Sequence, residues 1–455
     1  MPLNTLAFAL QYPALSQIAA CGAKRRAGAL DALTLQQRKY IRTTRPQRVR
    51  SKHLLEDGMN AQAIQAKSES WNVRVIGHHD LNGHGDGMQL LKNGRYVYVA
   101  HLGTSPMALT IVDVADPSDP RVVKQIPHAP NTHAHKVQIA GDVLIQNQER
   151  PYFDKSVPAS VPNEAGIRVY SIANPTEPRE IGYLRMQGKG VHRMWFTDGK
   201  YAHVGAMVPG IRERAYMIAD LSDPSNPKQA GIWWIPGTKE GEETPPEWTP
   251  FPGEHFHVHG AIPHGDRSYV ALVDAGMAIV DISDIAKPRT ISRIDWSPPF
   301  GGYAHTTLPL PDRKLVVAVD ESVKYDCQEG EKRVWLIDVR EERNPVIIST
   351  CPVPEGDFCK RGLRFGPHNV HENRPGSFQS EKMIFVTYYN AGLRVFDIRN
   401  QYRPEEVGYF IPPPPDGQKA PMFNDLYVDT DGLIYVSDRI KGGLYILEYT
   451  GPKFH

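Results

Sequence analysis

The chain has 455 residues, 40% hydrophobic and 23% charged, with a formal net charge of +1. This balance suits a soluble globular protein and argues against both a nucleic-acid footprint and a strongly acidic surface; no run approaches the roughly 18 apolar residues that would cross a bilayer. The four cysteines, Cys21, Cys327, Cys351 and Cys359, are too few for a disulfide framework and match no zinc knuckle, which predicts free thiols in a cytoplasmic protein, with Cys351 and Cys359 the pair near enough in sequence to bridge.

Residues 1–58 differ from the rest. They are rich in Ala, Gln, Lys and Arg, with acids only at Asp31, Glu56 and Asp57, and stretches such as 38–50 have no apolar period that would bury a face. A disordered or non-native N-terminal extension is expected. Ile18-Ala-Ala-Cys21 superficially resembles a lipoprotein cleavage site, but no Lys or Arg precedes it and Gln11, Pro13 and Gln17 interrupt its apolar region.

From Trp71 a repeated unit begins: an apolar strand, an Asp or Asn, and a proline turn. It reads Thr110-Ile-Val-Asp-Val-Ala-Asp-Pro117, Ile167-Arg-Val-Tyr-Ser-Ile-Ala-Asn-Pro175, Met217-Ile-Ala-Asp-Leu-Ser-Asp-Pro224 and Ala278-Ile-Val-Asp-Ile-Ser-Asp284. Val334 to Val339, Leu393 to Ile398 and Leu444 to Glu448 continue the series. Pro ends such a strand because it can neither donate to a ladder nor extend it. The period of about 50 to 60 residues, with four strand signals in each full repeat and no helical period between them, predicts an all-β, seven-bladed β-propeller over residues 71–450. The seventh repeat lacks an outer strand. Asn72-Val-Arg-Val-Ile-Gly-His78 resembles the outer strands Arg179-Glu-Ile-Gly-Tyr and Glu406-Val-Gly-Tyr-Phe, so Trp71 to Gly77 is expected to complete the last blade and close the ring.

One histidine returns at the head of the first strand in five repeats: His135, His192, His259, His305 and His368. Asp86 and Asn424 occupy the same slot in the other two. In a propeller these strand heads lie at one mouth of the central channel, and the ends of the second strands, with Glu149 and Glu321, face the same mouth. Strict alternation would add His84, His133 and His257 to the channel side. Neutral imidazoles aimed at one axis from rigid strands are what a transition metal requires, and neighbouring carboxylates can fix their tautomers.

The Ile111-Val-Asp113-Val, Ile279-Val-Asp281-Ile and Arg394-Val-Phe-Asp397-Ile stretches resemble the repeats of bacterial LVIVD-repeat proteins, for which the resemblance implies a propeller but no single chemistry. A looser, architectural similarity is to propeller enzymes with axial histidines, the carotenoid cleavage oxygenases and the selenium-binding methanethiol oxidases.

The expected function is therefore metal-dependent. His135, His192, His259, His305 and His368 are the expected ligands, with His84, His133, His257 and Asn424 as additional candidates and Glu149, Glu321 and Asp86 as acids for the chemistry. Fe(II) or Cu acting as an oxidoreductase or oxygenase on a small organic substrate is favoured, and Zn or Mn in a hydrolase or lyase uses the same residues. A non-enzymatic propeller that binds a protein partner is the competing class. The 148–163 and 239–254 insertions and the aromatics Trp233, Trp234, Trp248, Phe251, Phe256, Tyr303, Tyr388 and Tyr389 are candidates for an apolar lid or for blade core. No phosphate loop, nucleophile elbow or dinucleotide fingerprint is present in the sequence.

Overall fold

Each Val-x-Asp stretch of the repeats forms the third strand of an antiparallel sheet, and its terminal aspartate turns the chain. In the computed structural model, which describes residues 60–151 and 160–452, these strands are Met107–Asp113, Gly166–Ser171, Ala215–Asp220, Met277–Asp281, Val334–Asp338, Leu393–Asp397 and Leu444–Tyr449. The Asp113, Asp220, Asp281, Asp338 and Asp397 carboxylates each accept a backbone N–H two residues on, at 2.8–3.0 Å. The signature Asp is thus an Asx turn that stops the strand where the proline turn begins. The extension at 1–58 lies outside the described residues.

Neighbouring strands pair in sequence order. Gly87–Asn93, Tyr96–His101, Met107–Asp113 and Arg121–Pro127 form one four-stranded sheet, and the next two groups of four do likewise. The strands from Phe256–His264 to Val346–Thr350 are joined as one sheet, but a single Val273–Ala304 pair links its two halves. The last three strands, Phe423–Val428, Leu433–Asp438 and Leu444–Tyr449, gain their outer partner from the start of the described chain, Val73–His79, in the register Val73 to Tyr449 and His79 to Leu444. Trp71 departs from the expectation. Glu69–Trp71 instead pairs with Glu405–Ile411 of the preceding sheet, Trp71 opposite Tyr409, because left-handed Asn72 (φ 54°) breaks the strand between them. A short helix, Ala61–Lys67, capped by Asn60 and anchored by buried Ile64, precedes these strands; no periodicity in the sequence announced it.

The apolar core lies between successive sheets. Leu109 and Ile111 pack with Val137 and Leu144 of the next sheet, and Tyr435, Leu444 and Ile446 of the last sheet pack with Leu90, Val97 and Val99 of the first. Outer strands carry glycine where the next sheet's turn approaches: a Cβ on Gly77, Gly182 or Gly231 would lie about 2 Å from the carbonyl oxygens of Pro117, Pro224 and Ile285. The fold is all-β and propeller-like, with first strands innermost.

The cysteines correct the sequence expectation. Cys327 and Cys359, 32 residues apart, form a disulfide, while Cys351 is a buried free thiol. Nearness in sequence misled here. Cys351 is packed into the apolar core between two sheets, whereas Cys327 lies on a turn and Cys359 in the short helix Phe358–Arg361.

Candidate functional site

The heads of the inner strands are bulged. Between the pairs Val191–Ala206 and Met194–Val204, Ala304–Asp320 and Thr306–Val319, and Phe423–Asp438 and Asp425–Ser437, the inner strand holds one residue more than its partner. The same count holds between the His133–Glu149 and Val137–Gln146 pairs. A bulge breaks the alternation of side chains, so two consecutive residues face inward where a regular strand would offer one. His135 and Lys136, and likewise His192 and Arg193, therefore both reach the axis. After His259 the following position is Gly260, where a Cβ would meet the Arg193 side chain at 2.5 Å.

All five repeated histidines are buried and meet in an arc. Ring centroids of His135 and His192 are 4.8 Å apart, His192 and His259 4.8 Å, His259 and His305 3.9 Å, and His305 and His368 4.2 Å. The arc lines a cavity of about 400 Å³. Burial, reinforced by neighbouring rings and by Lys136, Arg193, Arg214 or Arg439, holds every one of these imidazoles well below the usual histidine range. They are neutral at pH 7.

Hydrogen bonds fix which nitrogen faces the cavity. His192 donates from Nδ1 to Glu149 Oε2 at 2.8 Å, His259 from Nδ1 to the His305 carbonyl at 3.1 Å, and His368 from Nδ1 to the Asn424 carbonyl at 2.6 Å. Each neutral ring then presents an Nε2 lone pair inward. The Nε2 atoms of His192 and His259 stand 3.2 Å apart. His135 differs: Asn147, oriented by the Lys136 N–H and the Val191 carbonyl, donates its amide to His135 Nδ1 at 3.2 Å. In the metal-free neutral ring the proton is thereby placed on Nε2. His305 Nδ1 sits between the Thr306 hydroxyl at 2.8 Å and the Arg193 guanidinium at 3.1 Å, and its buried Nε2 makes no hydrogen bond.

The two glutamates play different parts. Glu149 accepts the His192 ring proton, and burial raises its carboxyl above the usual range against the pull of Arg214 and His133. Glu321 binds Arg364 and the Tyr389 hydroxyl through Oε1, both at 2.9 Å, while Oε2 faces His259 Nε2 and His305 Nε2 at 4.0 Å; Oε1 is also 3.7 Å from His368 Nε2. An ion bound at about 2.1 Å brings adjacent ligand atoms to about 3.0–3.4 Å and opposite ones to about 4.2 Å from one another. The 3.2 Å nitrogen pair and the 3.7–4.0 Å nitrogen–oxygen separations fall in that range. His259, His305 and Glu321 bring ligand atoms within 4.8 Å of one another, with His192 Nε2 next to His259 and His368 Nε2 next to Glu321.

The remaining candidates are placed elsewhere or otherwise engaged. Asp86 is turned away from the cavity: it holds His101 Nδ1 at 2.8 Å and takes N–H and O–H donors from Gly103, Thr104 and Ser105, so it fixes a loop. His84 lies half-buried on the turn before it and does not line the cavity. His133 stacks on His135 at 3.8 Å and, with Glu149, forms a second buried group of metal-ligand type behind the arc. His257 does line the cavity, but Arg214 donates to its Nε2 at 2.5 Å. Asn424 contributes its backbone carbonyl to His368, and its side chain donates to Met88. Of the lid aromatics, Tyr303 lines the cavity, with its backbone held by Asp274. Trp233, Trp248, Phe256 and Tyr388 are core, and part of the 148–163 insertion lies outside the described residues.

Charged residues after the histidines were missed because alternation assigned them to the wrong face. Lys136, 1% exposed, lines the cavity, and burial, with Arg193 adding to it, pushes its ammonium down to about 8. Arg193 continues below the arc, donating to Asn369 Oδ1 at 2.7 Å and pairing with Glu372 at 2.9 Å. Arg374 closes this column from beneath, bound to Glu372, Gln138 and the Ile139 and Phe196 carbonyls.

Comparison with known proteins agrees with this architecture: the fold and its axial histidines define an all-β propeller with a buried polar centre. The profile of the LVIVD repeat matches residues 84–126 and 264–295, which supports an LVIVD-repeat β-propeller. Among solved structures it is similar to U3-55K, at 10% identity and a TM-score of 0.52 over 83% of this chain and 98% of that one. The β-propeller domain of Cps50 (Swd1) from Myceliophteria thermophila gives 9% identity and 0.49 over 80% and 96%. A functionally unknown protein from Desulfotomaculum acetoxidans DSM 771 gives 13% and 0.45 over 79% and 89%. The first of these is a likeness of fold. No curated protein matches the chain.

Proposed function

We propose that the protein is a metal-dependent enzyme whose ion sits in the histidine arc at the mouth of a seven-bladed propeller. One observation carries the metal: the Nε2 atoms of His192 and His259 face each other at 3.2 Å while both ring protons are committed on Nδ1. Two lone pairs at that distance repel unless a cation lies between them, and rings held neutral by burial do not supply it as a proton. The blade count is supported by apolar clusters between successive sheets that return from the last sheet to the first.

His192, His259, His305 and His368, with the Glu321 carboxylate, would hold the ion, and Glu149 and the His305 and Asn424 carbonyls would set the ring orientations. A nitrogen-rich set with one carboxylate suits Fe(II) or Cu, which supply one-electron and dioxygen chemistry, and it leaves coordination positions for a small organic substrate in the cavity. Zn or Mn in a hydrolytic role uses the same donors. The Cys327–Cys359 disulfide favours an oxidising compartment over the cytoplasm; no helix among the described residues is long and apolar enough to cross a membrane.

The test is metal analysis of protein purified without a His tag, then reconstitution with Fe(II), Cu, Zn and Mn in turn. One equivalent of bound ion is expected, with dioxygen consumed on turnover by the Fe(II) or Cu form. Substoichiometric binding of all four ions removes the metal reading. Full anaerobic activity with Zn or Mn selects the hydrolase or lyase.

A further inference from the structure

The arc of imidazoles covers part of the cavity wall. Its consecutive ring contacts run from His135 to His368, and the first and last sheets, whose slots hold Asp86 and Asn424, supply no ring. That side is walled by Met88, Lys136 and Arg439. Both cations are buried, Lys136 1% and Arg439 6% exposed. Neither makes an ion pair among the described residues, and the carboxylates that act on Lys136, Asp425 and Glu321, do so without direct contact. The carboxylate next to Arg439, Asp438, is spent on the N–H groups of Met422, Ile440, Lys441 and Gly442. Glu321 Oε1 is taken by Arg364 and Tyr389. The one hydrogen bond from the Arg439 guanidinium within the described residues goes from Nη1 to the Tyr389 hydroxyl, at 3.2 Å, which leaves the rest of its fork free.

A buried charge is costly without a counter-charge, and two of them facing one cavity with no carboxylate in direct contact call for an anion from outside. We propose that the cavity is built for a small organic carboxylate held between the Lys136 ammonium and the Arg439 guanidinium, on the side that the histidine arc leaves open. A carboxylate matches the open edge of a guanidinium in two parallel hydrogen bonds. The organic remainder meets Met88, Met207, Val323 and the Tyr303 ring, which line the same cavity of about 400 Å³. The carboxylate site stands on these contacts alone. Naming its occupant the substrate rests on the metal reading above.

Isothermal titration of the full chain, metal-stripped and metal-loaded, with acetate, benzoate and succinate at fixed ionic strength tests the proposal, with chloride and inorganic phosphate as comparison anions. At least one carboxylate is expected to bind one-to-one and more tightly than chloride or phosphate, including to the metal-stripped protein. Lys136→Met and Arg439→Gln are each expected to weaken it about 10- to 100-fold, and Arg439→Lys, which keeps the charge but not the fork, by less than Arg439→Gln. Carboxylates binding no better than chloride, a preference for phosphate, or equal binding by the variants would each overturn the proposal. Metal content, measured in parallel, reports separately on the metal reading.

Discussion

The two halves of the axis are equally buried and differently finished. Below the arc, Arg193 and Arg374 share Glu372, and their remaining N–H groups reach Asn369, Gln138 and backbone carbonyls. Every charge there is answered. Around the arc, imidazole lone pairs face each other, and Lys136 and Arg439 have no carboxylate in direct contact, Asp425 and Glu321 acting on Lys136 only from a distance. Satisfied polar networks rigidify a fold, whereas unsatisfied ones in a buried cavity mark where something else is meant to bind. The lower half reads as a plug and the upper half as a site.

The sharpest way to break this contrast is in the plug. Glu372→Ala leaves two buried guanidiniums without their carboxylate and is expected to cost about 3–5 kcal/mol of stability, measured by urea unfolding; a loss under about 1 kcal/mol would mean that the column is not structural. In the site, His192→Ala, His259→Ala or His368→Ala should leave circular dichroism nearly unchanged while metal affinity falls by more than about 100-fold. Retention of a full equivalent of metal in the His259, His305 double variant would sink the metal reading. Glu149→Gln, which keeps the shape but weakens the partner of His192, is expected to lose about 10- to 100-fold in metal affinity. The same measurement on Asp86→Asn separates a loop anchor from a catalytic acid, since metal content should stay constant as thermal stability falls.

Acid should act on the fold and the site in the same direction. His203 and His371, buried away from the arc, are lowered to about 4 by desolvation. The unfolded chain therefore takes up protons first, near pH 6.5. Stability is fully present above that value and falls by about 1.4 kcal/mol per pH unit for each group as pH drops toward 4. The arc histidines, held well below the usual range, keep their lone pairs into the same acidic window. Metal should persist at pH 6 and dissociate only at lower pH, and metal loss already complete at pH 6 would contradict this. The smallest effect expected is that of Gly260→Ala, which must displace the Arg193 side chain by a few tenths of an ångström or more; a small shift in unfolding midpoint with unchanged metal content would place Arg193 in the plug alone.

The repeat was legible in the sequence because each unit spells its own local physics. An alternating or wholly apolar strand, an aspartate that caps it and a proline that stops it act within a few residues, so Ile111-Val-Asp113 and its relatives located strands and turns directly. The recurrence of His135, His192, His259, His305 and His368 at one point of that repeat was enough to bring them to one axis. What alternation could not give was the neighbour of each histidine. Bulges are set by how tightly inner strands converge on the axis, a property of the assembled sheets, and they alone turn Lys136 and Arg193 inward. Asp86 shows the converse: its slot is equivalent in the repeat, but a loop supplied by Gly103 to Ser105 captures the carboxylate. The Cys327–Cys359 bond and the exchange of Trp71 to a neighbouring sheet were likewise decided by which loops and edges meet in space, since pairing over 32 or more than 300 residues depends on the closed fold and leaves no local trace.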